Sequence, residues 1–148
     1  MARNYKQGLY VPKNPKKYVG DFKLLKYKSF YELAVMKILD RTPSILKWQY
    51  EGGITIDYYS QWDNKWRKYH PDFFVQQINN KGEQETLVME VKPYSQTIPP
   101  KKTKRKKETT YLQECNDWQV NSDKWEAARN FAKMERIFVE KIWGRVCC

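Results

Sequence analysis

The chain has 148 residues, of which 28 are Lys or Arg and 17 are Asp or Glu, a formal net charge of +11. Hydrophobic residues make up 41% and aromatic residues 16%, enough for one packed core and too much for a disordered chain. No run of about 18 apolar residues occurs, which excludes a spanning helix, and Met1-Ala2-Arg3-Asn4-Tyr5-Lys6 has no apolar stretch behind its charge, so no secretory leader is expected.

So large a positive balance points to a polyanionic partner, nucleic acid first, because each phosphate neutralised by Lys or Arg releases counterions. A membrane surface would call for an amphipathic helix with a basic face, and none is read here. A domain that is merely basic is the plain alternative. The three cysteines, Cys115, Cys147 and Cys148, make no disulfide framework. A single histidine, His70, and the lack of any Cys-x-x-Cys argue against structural zinc. A reducing compartment is the natural expectation.

Residues 1–28 read as an extended basic arm, in which Gly8, Pro12, Pro15 and Gly20 break any helix. Its lysines interleave with Tyr5, Tyr10 and Tyr18, a mixture that suits a nucleic-acid strand and equally suits a loop pinned to the core by its tyrosines. Ser29 to Asp40 is predicted helical. Ser29-Phe30-Tyr31-Glu32 has the form of a capping box, and Leu33, Ala34, Val35, Met36, Ile38 and Leu39 make the helix apolar on most sides, hence buried. Short β-like runs follow at Ile45–Glu51 and Ile54–Tyr59, with Gly52-Gly53 between them. After a turn at Asp63-Asn64 comes Trp66–Val75, in which Pro71 implies an edge position or an irregularity. A second turn at Asn79–Gly82 leads to Glu85–Val91, the clearest strand.

Residues 94–108 form a predicted basic flap. Lys101, Lys102, Lys104, Arg105, Lys106 and Lys107 put six cations into seven residues, which self-repulsion should keep extended and mobile. Phosphate contact is the favoured reading, against a solvated charge run or a nuclear address. Thr110 to about Met134 is predicted as a long helix, with a kink or break expected at Asn121-Ser122. Ile137–Trp143 suggests a closing strand and 144–148 a tail. The order gives an α/β or α+β fold around a central sheet.

Side chains two apart on a strand share a face, so Glu90 and Lys92 point the same way with Cα atoms about 6.6 Å apart. Val88 shares that face, and Leu87, Met89 and Val91 take the other, as in a central strand. Charges at the end of a central strand are costly without a partner. A hard divalent cation and a phosphate would satisfy them, with Asp72 and Glu90 as carboxylate ligands and the Val91 carbonyl as a third. Lys92 would then orient the attacking water or stabilise developing charge. The chemistry this set serves is phosphodiester hydrolysis. Glu32 is either a capping-box residue or a third acid aimed at the same place. His70 would share the face of Asp72 only if its strand is regular.

Pro71-Asp72…Glu90-Val91-Lys92 with the upstream helical Glu32 resembles the PD-(D/E)xK nuclease superfamily. The Ser29-x-x-Glu32 opening is similar to the branch holding phage junction-resolving endonucleases and the transposase subunit that cuts transposon ends. Lys6-Gln7-Gly8-Leu9-Tyr10, Tyr27 to Glu32, Tyr69-His70-Pro71-Asp72-Phe73, Glu90-Val91-Lys92-Pro93, Pro99-Pro100-Lys101-Lys102 and Val120-Asn121-x-x-Lys124-Trp125 resemble, in order, the head completion nucleases of myovirus-type tailed phages. The Gln-x-x-x-Tyr element of some superfamily members is absent, since Asp123 follows Gln119 at that offset.

The resemblance implies a restriction-endonuclease-like core over residues 29–143, a mixed sheet flanked by an N-terminal and a long C-terminal helix. It also implies a Mg²⁺-dependent DNA nuclease, with Mn²⁺ able to substitute, that acts on double-stranded DNA late in virion assembly, in the host cytoplasm or at the virion neck, beside portal or neck proteins. By position, Asp72 and Glu90 would bind metal, Lys92 would serve the attack and Glu32 would support metal or water. Two rival readings remain: a non-catalytic neck component that grips DNA or portal, and a junction resolvase.

Overall fold

The structure is a computed structural model that describes residues 7–92, 94–135 and 138–143. Helix α1 (Phe30–Arg41) begins where the capping signal places it: Ser29 Oγ accepts from the Glu32 N–H at 3.2 Å. Val35, Met36 and Leu39 form its buried stripe, each fully buried side chain of this kind being worth about 1.5–3 kcal/mol.

That stripe lies on a four-stranded sheet built from β3 (Ile45–Tyr50), β6 (Phe73–Ile78), β7 (Gln84–Lys92) and β8 (Phe138–Trp143), in the order β3-β6-β7-β8. The first three are antiparallel and β8 is parallel to β7, so the sheet is mixed, as expected. Strand β7 is central. Its Leu87 and Met89 pack with Trp48, Tyr50, Phe73, Val75 and α1 in the main core, and Val91 packs against them. The alternate positions Val88, Glu90 and Lys92 take the opposite face. That face is met by a hairpin of β4 (Ile56–Ser60) and β5 (Lys65–Tyr69), and by α2 (Glu108–Glu135), where Ile56, Tyr58, Tyr69 and Ala128 make a second core.

Three expectations need correcting. The run Trp66–Val75 is not one strand. β5 pairs with β4 and β6 pairs with β3 and β7, so His70-Pro71-Asp72 is a passage between two sheets; Pro71 has no N–H to continue a ladder. The helix does not break at Asn121-Ser122: α2 runs on for 28 residues, and Ser122 Oγ donates to the Trp118 carbonyl at 2.8 Å within the helix. The flap is not extended either. Lys106 Nζ donates to Glu114 Oε2 at 2.7 Å and to the Lys101 carbonyl at 2.7 Å, and Lys102 Nζ donates to the carbonyls of Thr103 and Lys106. Loop carbonyls with no ladder partner accept the ammonium groups, which offsets the repulsion.

The described part of the basic arm, residues 7–28, holds β1 (Gly8–Leu9), β2 (Lys26–Tyr27) and two short 3-10 turns; Tyr5 and Lys6 lie outside the described residues, as does the tail with Cys147 and Cys148. Tyr10 and Leu25 enter the main core, and Tyr18 meets Trp48 edge-on at 4.7 Å. The anchor is Asp40 near the end of α1, with no exposed surface. Its Oδ2 accepts from Tyr10 OH at 2.7 Å and the Lys13 N–H at 2.8 Å, and its Oδ1 from the Asn14 N–H at 3.0 Å. Lys17 Nζ donates to the Asp40 carbonyl at 2.9 Å.

Burial alone would raise the Asp40 carboxyl, but the donors from Tyr10, Lys13 and Asn14 and the charge of Lys17 hold it below 3.8. A depressed folded pKa stabilises the fold above the unfolded value and stops doing so as pH falls through the folded one. Asp40→Ala is therefore expected to lower stability by about 2–4 kcal/mol at pH 7. In urea titrations the gap to wild type should narrow below pH 3.8; a gap independent of pH would contradict the anchor.

Candidate active site

The β6–β7 register pairs Phe73 with Met89. Asp72, one residue before Phe73, therefore arrives beside Glu90, one residue after Met89. The two chains are cross-tied there. The Asp72 N–H donates to Glu90 Oε2 at 3.3 Å, and the Val91 N–H donates to Asp72 Oδ2 at 2.9 Å. The Asp72 carbonyl accepts from the Glu51 N–H at 2.8 Å, which fixes the passage to the end of β3. Lys92 Nζ stands 3.2 Å from Glu90 Oε1. Asp72, Glu90 and Lys92 thus form one bonded cluster at the end of the central strand, with Glu90 only 6% exposed.

Glu32 reaches the same neighbourhood from α1 without joining that cluster. Its Oε1 accepts from Ser29 Oγ at 3.1 Å and its Oε2 from Tyr50 OH. Its negative charge still acts on Asp72. Burial, then the charge of Glu90, push the Asp72 carboxyl up to about 7, against the pull of the Val91 N–H and of Lys92. Tyr69 OH donates to Glu90 Oε2 at 2.6 Å, and burial with the charge of Glu90 drives its own ionisation far out of reach. Tyr69 and Tyr50 are thus neutral donors, one for each glutamate.

Four contributors escaped the sequence reading or were left there without a role. In the sequence Tyr50 is one residue of the β-like run Ile45–Glu51, and Tyr69 is one residue of the Tyr69–Phe73 match, neither with a role of its own. Lys28 pairs with Glu51 at 2.6 Å, and its charge also meets those of Glu32 and Asp72. Lys124 comes from α2, 5.5 Å from the Tyr69 ring centroid and 5.9 Å from that of Tyr58. Burial, then the charge of Lys92, lower its pKa against the opposite pull of Glu90 and Asp72. The available signal was its place on the Asn121-Lys124-Ala128 stripe of α2.

Other candidates are placed elsewhere. His70 is exposed, with Nδ1 3.3 Å from Thr55 Oγ1, because its strand ends before it. Gln119 Nε2 donates to Asp123 Oδ1 at 2.9 Å, and Asp123 Oδ2 accepts from the Gln61 N–H at 2.8 Å, so that pair ties α2 to the hairpin. Of the flap cations, Lys101 and Lys106 line a cleft of about 690 Å³ that Lys92 and Lys124 also line. Lys102, Lys104, Arg105 and Lys107 are exposed.

Among the described residues no three acidic, His or Cys side chains gather as a metal site by themselves. The donor set still fits a hard cation. Mg²⁺ is held through one or two carboxylates and keeps several waters. Here burial, with the charge of Glu90 beside it, makes the Asp72 carboxyl resist ionisation, a state that a divalent charge relieves.

A family model described as "TnsA-like endonuclease N terminal" matches residues 42–138, a span containing Asp72, Glu90 and Lys92 and lying beyond Glu32. The "Head completion nuclease" of Enterobacteria phage T4 is 35% identical over 135 residues, covering 88% of this chain and 85% of that protein. No solved structure matches. With its acids and lysine brought together on a mixed sheet between α1 and α2, the chain belongs to the TnsA-like endonuclease family and is a DNA-hydrolysing enzyme.

Proposed function

We propose that this nuclease is Mg²⁺-dependent and acts in phage head completion, processing the ends of packaged double-stranded DNA before head–tail joining, in the host cytoplasm and beside portal or neck proteins. The observation that carries the reading is the single bonded cluster of Asp72, Glu90 and Lys92 at the end of the central strand. The extent of the likeness to the T4 head completion nuclease supports the assembly role.

Asp72 and Glu90, with the Val91 carbonyl, would hold the metal. A Mg²⁺ held by them would supply a water of lowered pKa and offset charge on the phosphate. Lys92 faces the same space and orients the attacking water or meets the negative charge that grows on the phosphoryl oxygens. Glu90 cannot drift from its place, because Tyr69 OH holds Oε2 and Lys92 holds Oε1. Glu32 adds negative charge that favours a cation near Asp72. The flap residues Lys101, Lys102, Lys104, Arg105, Lys106 and Lys107 would neutralise backbone phosphates and so bring duplex to the cluster.

Plasmid nicking and linear-end degradation with Mg²⁺ test this directly. Asp72→Ala, Glu90→Ala and Lys92→Met are each expected to lower cleavage about a hundredfold or more, with DNA binding in EDTA retained. Cleavage by all three variants at the wild-type rate would sink the assignment. Tyr69→Phe should be milder, about tenfold, and should raise the Mg²⁺ concentration needed for half-maximal rate, since it frees a ligand rather than removing one.

A stability measurement on chelated protein gives an independent check. A carboxyl whose folded pKa is raised from 3.8 to about 7 opposes folding as pH rises between those values. Asp72→Asn is expected to abolish cleavage and yet raise the melting temperature at pH 8, with the gain vanishing at pH 4. Lower stability than wild type at both pH values would mean that Asp72 is a structural residue.

A further inference from the structure

The cleft beside the acidic cluster continues past it. A space of about 690 Å³ and a second of about 220 Å³ share four walls: Lys92, Gln96, Trp118 and Asn121. Together they form a groove between the segment after β7 and the middle of α2. Lys101, Lys106 and Lys124 line the first space and Arg129 the second, so with Lys92 five cations face the groove among its described walls. Two acids also line it. Glu114 is paired with Lys106 at 2.7 Å, and Asp117 accepts from Gln113 Nε2 at 3.0 Å. The roof is held on the helix by that Lys106–Glu114 pair.

Cations alone would serve a duplex lying across the rim. An indole and a carboxamide inside the groove would not, because a paired base shows neither its faces nor its Watson–Crick edge to a protein wall. Stacking on an aromatic side chain along a positively charged groove is how unpaired strands are held. Asn121 supplies both a donor and an acceptor for a base edge. The half-buried Trp118 lines both spaces, as Lys92 does.

We infer that the groove between residues 95–106 and α2 binds a single DNA strand, with Trp118 stacking an unpaired base and Asn121 reading its edge, so that the substrate presented to Lys92 is a frayed or overhanging end rather than an intact duplex. This deepens the nuclease reading and rests on it for what happens at Lys92. The strand-binding claim itself stands on the groove alone.

The test uses the full chain in EDTA, where cleavage plays no part. Fluorescein-labelled dT12 and a 12-base-pair hairpin duplex are titrated by anisotropy. The expected result is tighter binding of dT12 than of the duplex, with Trp118→Leu weakening dT12 about tenfold or more and duplex less than twofold. Because Trp118 is half-buried, circular dichroism and melting check its variant. Asn121→Glu, which puts a like charge against the strand, is the second variant and should selectively weaken dT12. Duplex bound as tightly as dT12, or both variants weakening the two probes equally, would overturn the inference. Selective strand binding without Mg²⁺-dependent cleavage would defeat only the nuclease reading. Efficient cleavage of blunt duplex without selective strand binding would defeat only the groove.

Discussion

Two carboxylates of like charge sit side by side at the end of the central strand, and the molecule is arranged around holding them there. Water would separate them; the backbone does not allow it. Asp72 donates its N–H to Glu90 and takes the N–H of Val91, so each acid is tied to the chain that carries the other. The tie follows from the register of β6 on β7, and that register follows from Phe73 and Val75 meeting Met89 and Leu87 in the core. A one-residue slip would turn those apolar side chains outward and part the acids in the same step. Packing on one face thus enforces charge proximity on the other.

The two tyrosines explain how so much negative charge is tolerated near one point. A lysine in every such place would neutralise the acids and leave no demand for a metal. A neutral hydroxyl satisfies one oxygen of each glutamate and leaves its charge intact. Tyr69 reaches Glu90 from the hairpin and Tyr50 reaches Glu32 from β3, and burial beside the acids keeps both hydroxyls protonated. The two glutamates are therefore held in place without being neutralised by their tyrosines, a state that favours a divalent ion. Cationic charge stands against the cluster's edge, where Lys92 meets Glu90 Oε1 and Lys124 lies over the Tyr69 ring.

The long second helix has three tasks that no short element could combine. It carries the chain from β7 to β8, which a parallel neighbour requires. Ala128 closes the second core beneath the hairpin, while Asp123 holds the end of that hairpin. Its earlier turns carry Glu114, which fastens the flap, and Trp118 and Asn121, which wall the groove. The flap lysines bend back to carbonyls and to Glu114, so part of the charge that looks free in the sequence is engaged in shaping the loop.

Local chemistry was legible without coordinates. Ser29 and Glu32 announced the start of α1, and the alternation around Leu87–Val91 marked the central strand. The spacing of Glu90 and Lys92 put an acid and an amine on one strand face, because period-two geometry needs only near neighbours, whereas Asp72 meets them only through the pairing of β6 on β7. What the sequence could not yield depends on contacts between segments far apart. His70 left the site because β5 and β6 belong to different sheets. Helix α2 stayed whole because packing of its stripe outweighed the weak propensity of Asn121 and Ser122. Tyr50, Tyr69 and Lys124 gained their roles from partners 18 to 32 residues away in the chain, Glu32, Glu90 and Lys92. The sequence by itself determined which residues carry a carboxylate or an amine at a strand end; the tertiary structure decided which of them meet, since only the long-range pairing of strands sets the distance between one charge and the next.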